Sequence, residues 1–255
     1  MEYNVNINGI EVNAKYSDEN IRDIFVPVLE KAKNLYEKNE KRVVVLLAAP
    51  PGSGKSTLLS FLKYLSETNE ELMPITTIGM DGFHRYQDYL ISHSLTRDGK
   101  EYKMVEVKGC PETFDLEKLT ERLKRISNGE NIGWPEYNRM THNPEEDAIL
   151  VDGNIVFLEG NYLLLNRKGW KDLKKYADFT ISIKASESLL KGRLVDRKVK
   201  SGTTLDNAKK FVEFSDMYNV RTCLTESVDA DVELEILDDG SYDFYKELEK
   251  NADIK

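Results

Sequence analysis

Residues 49–57, Ala-Pro-Pro-Gly-Ser-Gly-Lys-Ser-Thr, constrain this chain more than any other stretch. They follow residues 42–48, a β-branched and aliphatic run without alternation, which is the pattern of a strand covered on both faces of a parallel sheet. They precede a helical segment. In that setting Gly52 and Gly54 let backbone N–H groups curl around an anion at the helix N-terminus. Lys55 adds a mobile cation to bridge the β and γ oxygens of a triphosphate, the Ser56 hydroxyl fills one position on Mg²⁺, and Thr57 reaches the α-phosphate. The predicted ATP-binding residues are therefore Gly52, Ser53, Gly54, Lys55, Ser56 and Thr57. Ala49 stands where the general pattern GxxxxGK[ST] begins with glycine, and alanine is small enough to be tolerated there. The loop establishes phosphate binding without choosing a reaction. An Asn-Lys-x-Asp motif for reading guanine does not occur.

Three further apolar runs, at 75–78, 155–158 and 179–183, end near Asp81, at Glu159 and ahead of a charged helix at about 186–201. Strands alternating with helices give a parallel sheet flanked by helices, with ligands gathered at the strands' C-terminal ends. Ahead of this core, residues 3–16 alternate around Asn8-Gly9 and predict a small hairpin. Residues 17–39 carry apolar positions at helical spacing, with Pro27 placed to kink the helix. The domain reading is one domain overall: 1–40 as hairpin and helix packed on the core, and 41–255 as the catalytic body. Residues 92–111 read as a polar insertion, 115–128 as a helix closed by Asn128-Gly129, 232–237 as a strand, and the remainder as a polar tail.

Transfer of a phosphoryl group to an alcohol needs a carboxylate beside the hydroxyl to take its proton. Asp81, in Gly-Met-Asp-Gly-Phe-His, is placed for that, with Gly82 letting another molecule approach the backbone closely; an N-cap is the structural alternative. Glu159, closing Ile-Val-Phe-Leu-Glu, resembles a Walker B acid and joins Ser56 as the predicted metal set, against an ordinary strand-end carboxylate.

Five ordered blocks then carry a resemblance: Pro-Pro-Gly-Ser-Gly-Lys-Ser at 50–56, Met-Asp-Gly-Phe-His at 80–84, Lys-Gly-Cys-Pro-Glu-Thr-Phe-Asp at 108–115, Pro-Glu-Tyr-Asn-Arg-Met-Thr-His at 135–142 and Phe-Leu-Glu-Gly-Asn-Tyr-Leu-Leu-Leu at 157–165. Together they resemble the phosphoribulokinase, uridine kinase and type I pantothenate kinase superfamily, and most the uncharacterised nucleoside/nucleotide kinase-like branch. The resemblance implies an α/β P-loop NTPase fold, ATP as donor, Mg²⁺, a small hydroxyl-bearing acceptor, Asp81 as base, a helical lid carrying arginines, and a homodimer as one assembly.

Lys191, Arg193, Arg197, Lys198 and Lys200 mark that lid in the sequence itself. Arg193 and Arg197 are four apart and share a helical face, so both can reach the triphosphate; the alternative is a solvated basic face. Arg193 joins Asp81 and Lys55 as the predicted catalytic set. For the acceptor, the resemblance places Tyr137 and His142 against the substrate, while Arg139 replaces an aromatic of nucleoside kinases and favours a polar or anionic compound such as a sugar acid or sugar phosphate. His84 either orients the acceptor or packs in its loop. Asn219 corresponds to an acceptor-binding asparagine of pantothenate kinases, with a helix C-cap as the alternative.

The leading functional expectation is an ATP-dependent kinase acting on a hydroxyl of a sugar, nucleoside or pantothenate-like acceptor. Uridine/cytidine kinase activity and a non-catalytic ATP-binding regulator are the alternatives. Net charge −9 over 255 residues argues against a nucleic-acid partner, which usually meets a basic field. No apolar stretch approaches membrane-spanning length, no secretory leader precedes the first elements, and two isolated cysteines fit a reducing compartment, so the expectation is a cytoplasmic protein away from membranes.

Overall fold

Strands β1 (Glu2–Ile7) and β2 (Ile10–Lys15) form the expected antiparallel hairpin, paired from Glu2↔Lys15 to Ile7↔Ile10. This is seen in a computed structural model that describes residues 1–7 and 9–245, so Asn8 of the expected turn lies outside the described residues, as do 246–255 of the expected polar tail. Gly9 does take the left-handed φ of 82° that the turn requires.

The helix expected over 17–39 is built in three pieces. A single turn α1 (Asp18–Asn20), capped by the Ser17 hydroxyl, leads into a π-helical turn over Ile21–Phe25 and then α2 (Val26–Asn39). Pro27 does not kink an α-helix here. It sits in the first turn of α2, where its missing N–H is tolerated, and the ladder is already widened ahead of it, with the Val26 N–H donating to the Ile21 carbonyl.

Along the rest of the chain come β3 (Val43–Ala48), α3 (Lys55–Thr68), β4 (Thr76–Gly79), a short α4 (Gln87–Ser92), and a small hairpin of β5 (Ser94–Arg97) and β6 (Lys100–Lys103). They are followed by α5 (Leu116–Ser127), β7 (Ile132–Asn138), β8 (Asn143–Val151), β9 (Ile155–Gly160), β10 (Phe179–Ala185), α6 (Glu187–Lys200), α7 (Leu205–Phe211), α8 (Met217–Glu226), β11 (Val232–Ile236) and β12 (Tyr242–Phe244). The central sheet has the order β12-β11-β10-β3-β9-β4, parallel except for the edge strand β12. All of β3 is buried. Val43, Val45 and Leu47 face one hydrophobic layer with α2, α3 and α6, while Val44, Leu46 and Ala48 face the other with α5 and Trp134. A strand covered on both faces has no place for a polar residue, which is why its sequence does not alternate.

The N-terminal elements close the first layer. Tyr16 stacks on Phe61 at 4.2 Å, the Tyr3 hydroxyl donates to the Ser60 carbonyl at 3.1 Å, and the buried Asn20 amide exchanges two hydrogen bonds with the Tyr242 backbone at 2.6 and 2.9 Å. Among the described residues, no helix is long and apolar enough to cross a membrane.

On the opposite layer, 135–142 is not a surface loop but the end of a β7/β8 hairpin, with a bulge between Trp134 and Glu136. This hairpin explains Gly82. The hairpin's own backbone approaches that glycine, and a Cβ at Gly82 would lie 1.9 Å from the Pro135 carbonyl oxygen. The Trp134 indole donates to the Gly79 carbonyl at 2.9 Å just beside it.

Two substitutions test this packing. Gly82→Ala is expected to lower unfolding free energy by about 3 kcal/mol because backbone cannot yield. Gly192→Ala, inside α6 with open space around its Cβ position, is expected to raise it by about 0.5–1 kcal/mol. Urea denaturation reads both, and a wild-type midpoint for Gly82→Ala would contradict the contact.

Candidate active site

Register sets the site. In the parallel pairs β3/β9 and β4/β9, Glu159 lies opposite Leu47 on one side and Gly79 on the other. The three strands therefore end level, and each delivers one chemical group within a few residues. β3 leads into the 49–57 loop, β9 carries Glu159, and β4 runs into a 3₁₀ turn, Met80–Phe83, that holds Asp81.

The loop has the backbone of an anion cradle. Gly52 and Gly54 both have φ of 84°, and α3 begins directly at Lys55 without a side-chain cap on its first N–H groups. Those donors have no partner in the helix itself and point at whatever lies before it. Ala49 is buried, takes no left-handed backbone, and donates its N–H to the Gly160 carbonyl at 3.2 Å, so alanine meets what the loop requires at its first position. The Ser53 hydroxyl is buried without a protein partner.

Ser56 Oγ donates to Glu159 Oε1 at 2.7 Å, and Lys55 Nζ stands 4.0 Å from Glu159 Oε2. Both side chains of that ion pair are mostly buried, at 15% and 14% exposure. Burial pushes the Glu159 carboxyl above its ordinary range, Lys55 opposes this, and the charge of Asp81 adds to it. Burial also pushes Asp81 upward, but His84 in its protonated form, together with Lys55, Arg139 and Arg197, outweighs it and holds that carboxyl below its ordinary range. Asp81 is thus kept ionised, ready to take a proton, while Glu159 sits in a place that calls for a further cation.

Among the described residues no group of three His, Cys, Asp or Glu side chains can hold a metal by itself. One hydroxyl and one carboxylate, in contact at the mouth of a phosphate cradle, do fit Mg²⁺, which takes few protein ligands and completes its shell with water and substrate phosphates.

Helix α6 lies on the loop. Leu190 and Leu194 fill the space where a Gly52 side chain would be, with the Leu194 Cγ 2.9 Å from that Cβ position. Arg193 donates to the Ser53 carbonyl at 3.2 Å, and its charge is felt at Tyr16 and Tyr242. Arg197 is exposed and its charge reaches Asp81 and Asp216. The two arginines therefore serve different regions, one bracing the loop and one facing the carboxylates.

A second wall faces Asp81. The carbonyl of Asp81 accepts from His84 Nδ1 at 2.8 Å; since a carbonyl cannot donate, Nδ1 carries the proton and Nε2 is left as an acceptor. Burial holds the His84 pKa below its ordinary value. Its ring lies 4.0 Å from Phe114 and 5.1 Å from Tyr137, so His84 both packs in its loop and borders the site. Lys108 Nζ lies 4.7 Å over the Tyr137 ring. Arg139 is exposed at the hairpin tip, yet its charge is felt at Asp81, His84 and Glu159. His142 is exposed with φ of 56°, and the structure engages its carbonyl, which accepts from Lys108 at 3.0 Å.

Asn219 does not cap a helix C-terminus. It is a buried residue within the first turn of α8, directly after a second π-helical turn, Val212–Asp216, and its Oδ1 has no partner. Sequence reasoning gave no role to Lys108 or Asp216; the clue available was a lysine before Gly109, a glycine whose φ is 100°. Cys110 and Cys223 are free and buried, with both thiols pushed up to about 12 by burial, which excludes them as nucleophiles near neutral pH.

Comparison with known proteins follows the same geometry. The sequence profile of the Phosphoribulokinase / Uridine kinase family matches residues 44–239. The chain is 39% identical over 245 residues to YggC, an uncharacterised protein of Escherichia coli (strain K12), covering 96% of this chain and 99% of that one. It is 32% identical over 209 residues to a putative uridine kinase of Schizosaccharomyces pombe, covering 78% and 86%. Its fold matches the crystal structure of a putative fructose transport system kinase from Silicibacter sp. TM1040 with TM-score 0.71 and 28% identity, covering 81% and 98%. With the phosphate loop, Glu159 and Asp81 assembled on one parallel sheet, this chain belongs to the phosphoribulokinase/uridine kinase family of P-loop kinases.

Proposed function

We propose that this protein is an ATP- and Mg²⁺-dependent kinase that transfers the γ-phosphoryl group to a hydroxyl of a small acceptor. The observation that carries the reading is the position of Asp81, in the turn that ends β4, next to the strand end where Glu159 meets Lys55 and Ser56. A phosphate-binding switch needs the loop and Glu159; an ionised carboxylate at the next strand end serves a proton acceptor.

In the reaction the acceptor oxygen bonds to the γ-phosphorus as the bond to the β,γ-bridging oxygen breaks and ADP leaves. Asp81 takes the hydroxyl proton. Lys55 and the N–H groups at the start of α3 hold the phosphates, and Arg197, whose charge is felt at Asp81, would meet charge developing between donor and acceptor. Ser56 and Glu159 would hold Mg²⁺, which supplies charge neutralisation on the phosphates when bound. His84 Nε2 is available to accept from a second hydroxyl of the substrate. The name of the Silicibacter structure supports a sugar as acceptor, and the name of the Schizosaccharomyces relative supports a nucleoside.

The test is acceptor-dependent ADP release from Mg·ATP across sugars, nucleosides and pantothenate. Stimulation by at least one acceptor is expected; none would return weight to a binding regulator. Asp81→Asn is expected to cut kcat by about 10²–10⁴ with the dissociation constant for ATP near wild type, whereas full activity would reject Asp81 as base. Lys55→Ala is expected to cost about 10²–10³ in kcat/KM for every acceptor alike, and a loss confined to one acceptor would show that Lys55 is not a phosphate ligand.

A further inference from the structure

Four cations around the cleft, Lys108, Arg139, Arg197 and Lys198, have no carboxylate in direct contact among the described residues. Arg197 and Lys198 belong to α6, the helix lying on the loop, and can be compensated by the triphosphate. Lys108 and Arg139 belong to the acceptor wall, next to Tyr137 and His84.

Lys108 is half-buried and has only neutral partners, the Gln87 side-chain oxygen at 3.2 Å, the His142 carbonyl at 3.0 Å and the Tyr137 ring. Arg139 projects from the hairpin tip two residues beyond Tyr137, and its charge reaches Asp81. The wall continues through Gly109, where a Cβ would stand 3.4 Å from the Asn219 Nδ2. There, Asn219 Oδ1 and Asp216 Oδ2 are buried with no hydrogen-bond partner, three residues apart on one helical run. Orphaned acceptors call for hydroxyl donors, and two uncompensated cations call for an anion, because a neutral ligand closing over them removes water without replacing it.

We infer that the acceptor is an anionic polyol, a hydroxylated compound bearing a phosphate or carboxylate group that Lys108 and Arg139 hold while its hydroxyls donate to Asn219 and Asp216. The inference rests on the kinase reading and sharpens its substrate class. A neutral nucleoside or free sugar leaves both cations unanswered.

The anion subsite is tested apart from turnover, by calorimetric titration of inorganic phosphate into the full chain saturated with Mg²⁺ and adenylyl imidodiphosphate, so that the phosphate loop is already occupied. One phosphate per chain is expected to bind, about 10-fold or more weaker in Lys108→Met and in Arg139→Met, recovered in Lys108→Arg, and unchanged in Arg125→Met, whose charge is spent on Glu121 and Glu130. No phosphate bound to the wild-type protein overturns the inference. In the turnover arm, neutral aldoses, their phosphate monoesters and their aldonic acids are compared by acceptor-dependent ADP release. Preference for the esters or for the acids supports the inference and names the source of the anion. Equal or better turnover of neutral aldoses overturns it and leaves the kinase reading standing. Phosphate binding without turnover of any of these compounds, or of the nucleosides and pantothenate of the first test, overturns the kinase reading and leaves the anion subsite.

Discussion

The parallel register of β3, β9 and β4 is the constraint on which everything else in the molecule depends. Glu159 is opposite Leu47 and Gly79 at once, so Lys55, Glu159 and Asp81 reach one level of the sheet without any long connection. Hydrogen bonding between strands fixes this register, and packing on both faces of β3 protects it, since a one-residue slip would exchange the side chains of two differently packed layers. The chemistry is therefore inherited from strand pairing.

Two glycines translate that frame into a two-sided cleft. Gly52 lets α6 settle on the phosphate loop, and Gly82 lets the β7/β8 hairpin settle against the turn that holds Asp81. One approach brings a basic helix over the phosphate loop, and the other brings the hairpin that carries Tyr137 and Arg139 to the Asp81 turn. Neither would tolerate a side chain without displacing backbone or a buried leucine.

The donor half of this arrangement was legible in the sequence because each of its parts is local. A loop of nine residues, an apolar run ending in Glu159 and another leading into Asp81 need no knowledge of distant contacts, and the family resemblance added the order of the blocks. The acceptor half was only partly legible. The β7/β8 hairpin was missed because Pro135 forces a bulge that breaks the alternation, and because β8, Asn-Pro-Glu-Glu-Asp-Ala-Ile-Leu-Val, is largely exposed and charged. Gly82 was assigned to ligand approach, since nothing nearby in sequence announces that residue 135 will lie against it. The π-helical turns at 21–25 and 212–216 left no pattern either, since their helical spacing is that of ordinary helices; Asp216 ends the second one and Asn219 follows it in α8. Lys108 opens one of the five resemblance blocks, but its contacts with Tyr137 and His142 come from the hairpin that the sequence did not place beside it.

Under the proposed function phosphate leaves ATP for an alcohol and not for water. Phosphorus-31 NMR of the protein with Mg·ATP and a mixture of neutral and anionic sugars, nucleosides and pantothenate reads that directly. A phosphomonoester resonance growing at the rate at which the γ-phosphate resonance declines is the expected result. Growth of inorganic phosphate alone, or an unchanged ATP spectrum, would contradict the account.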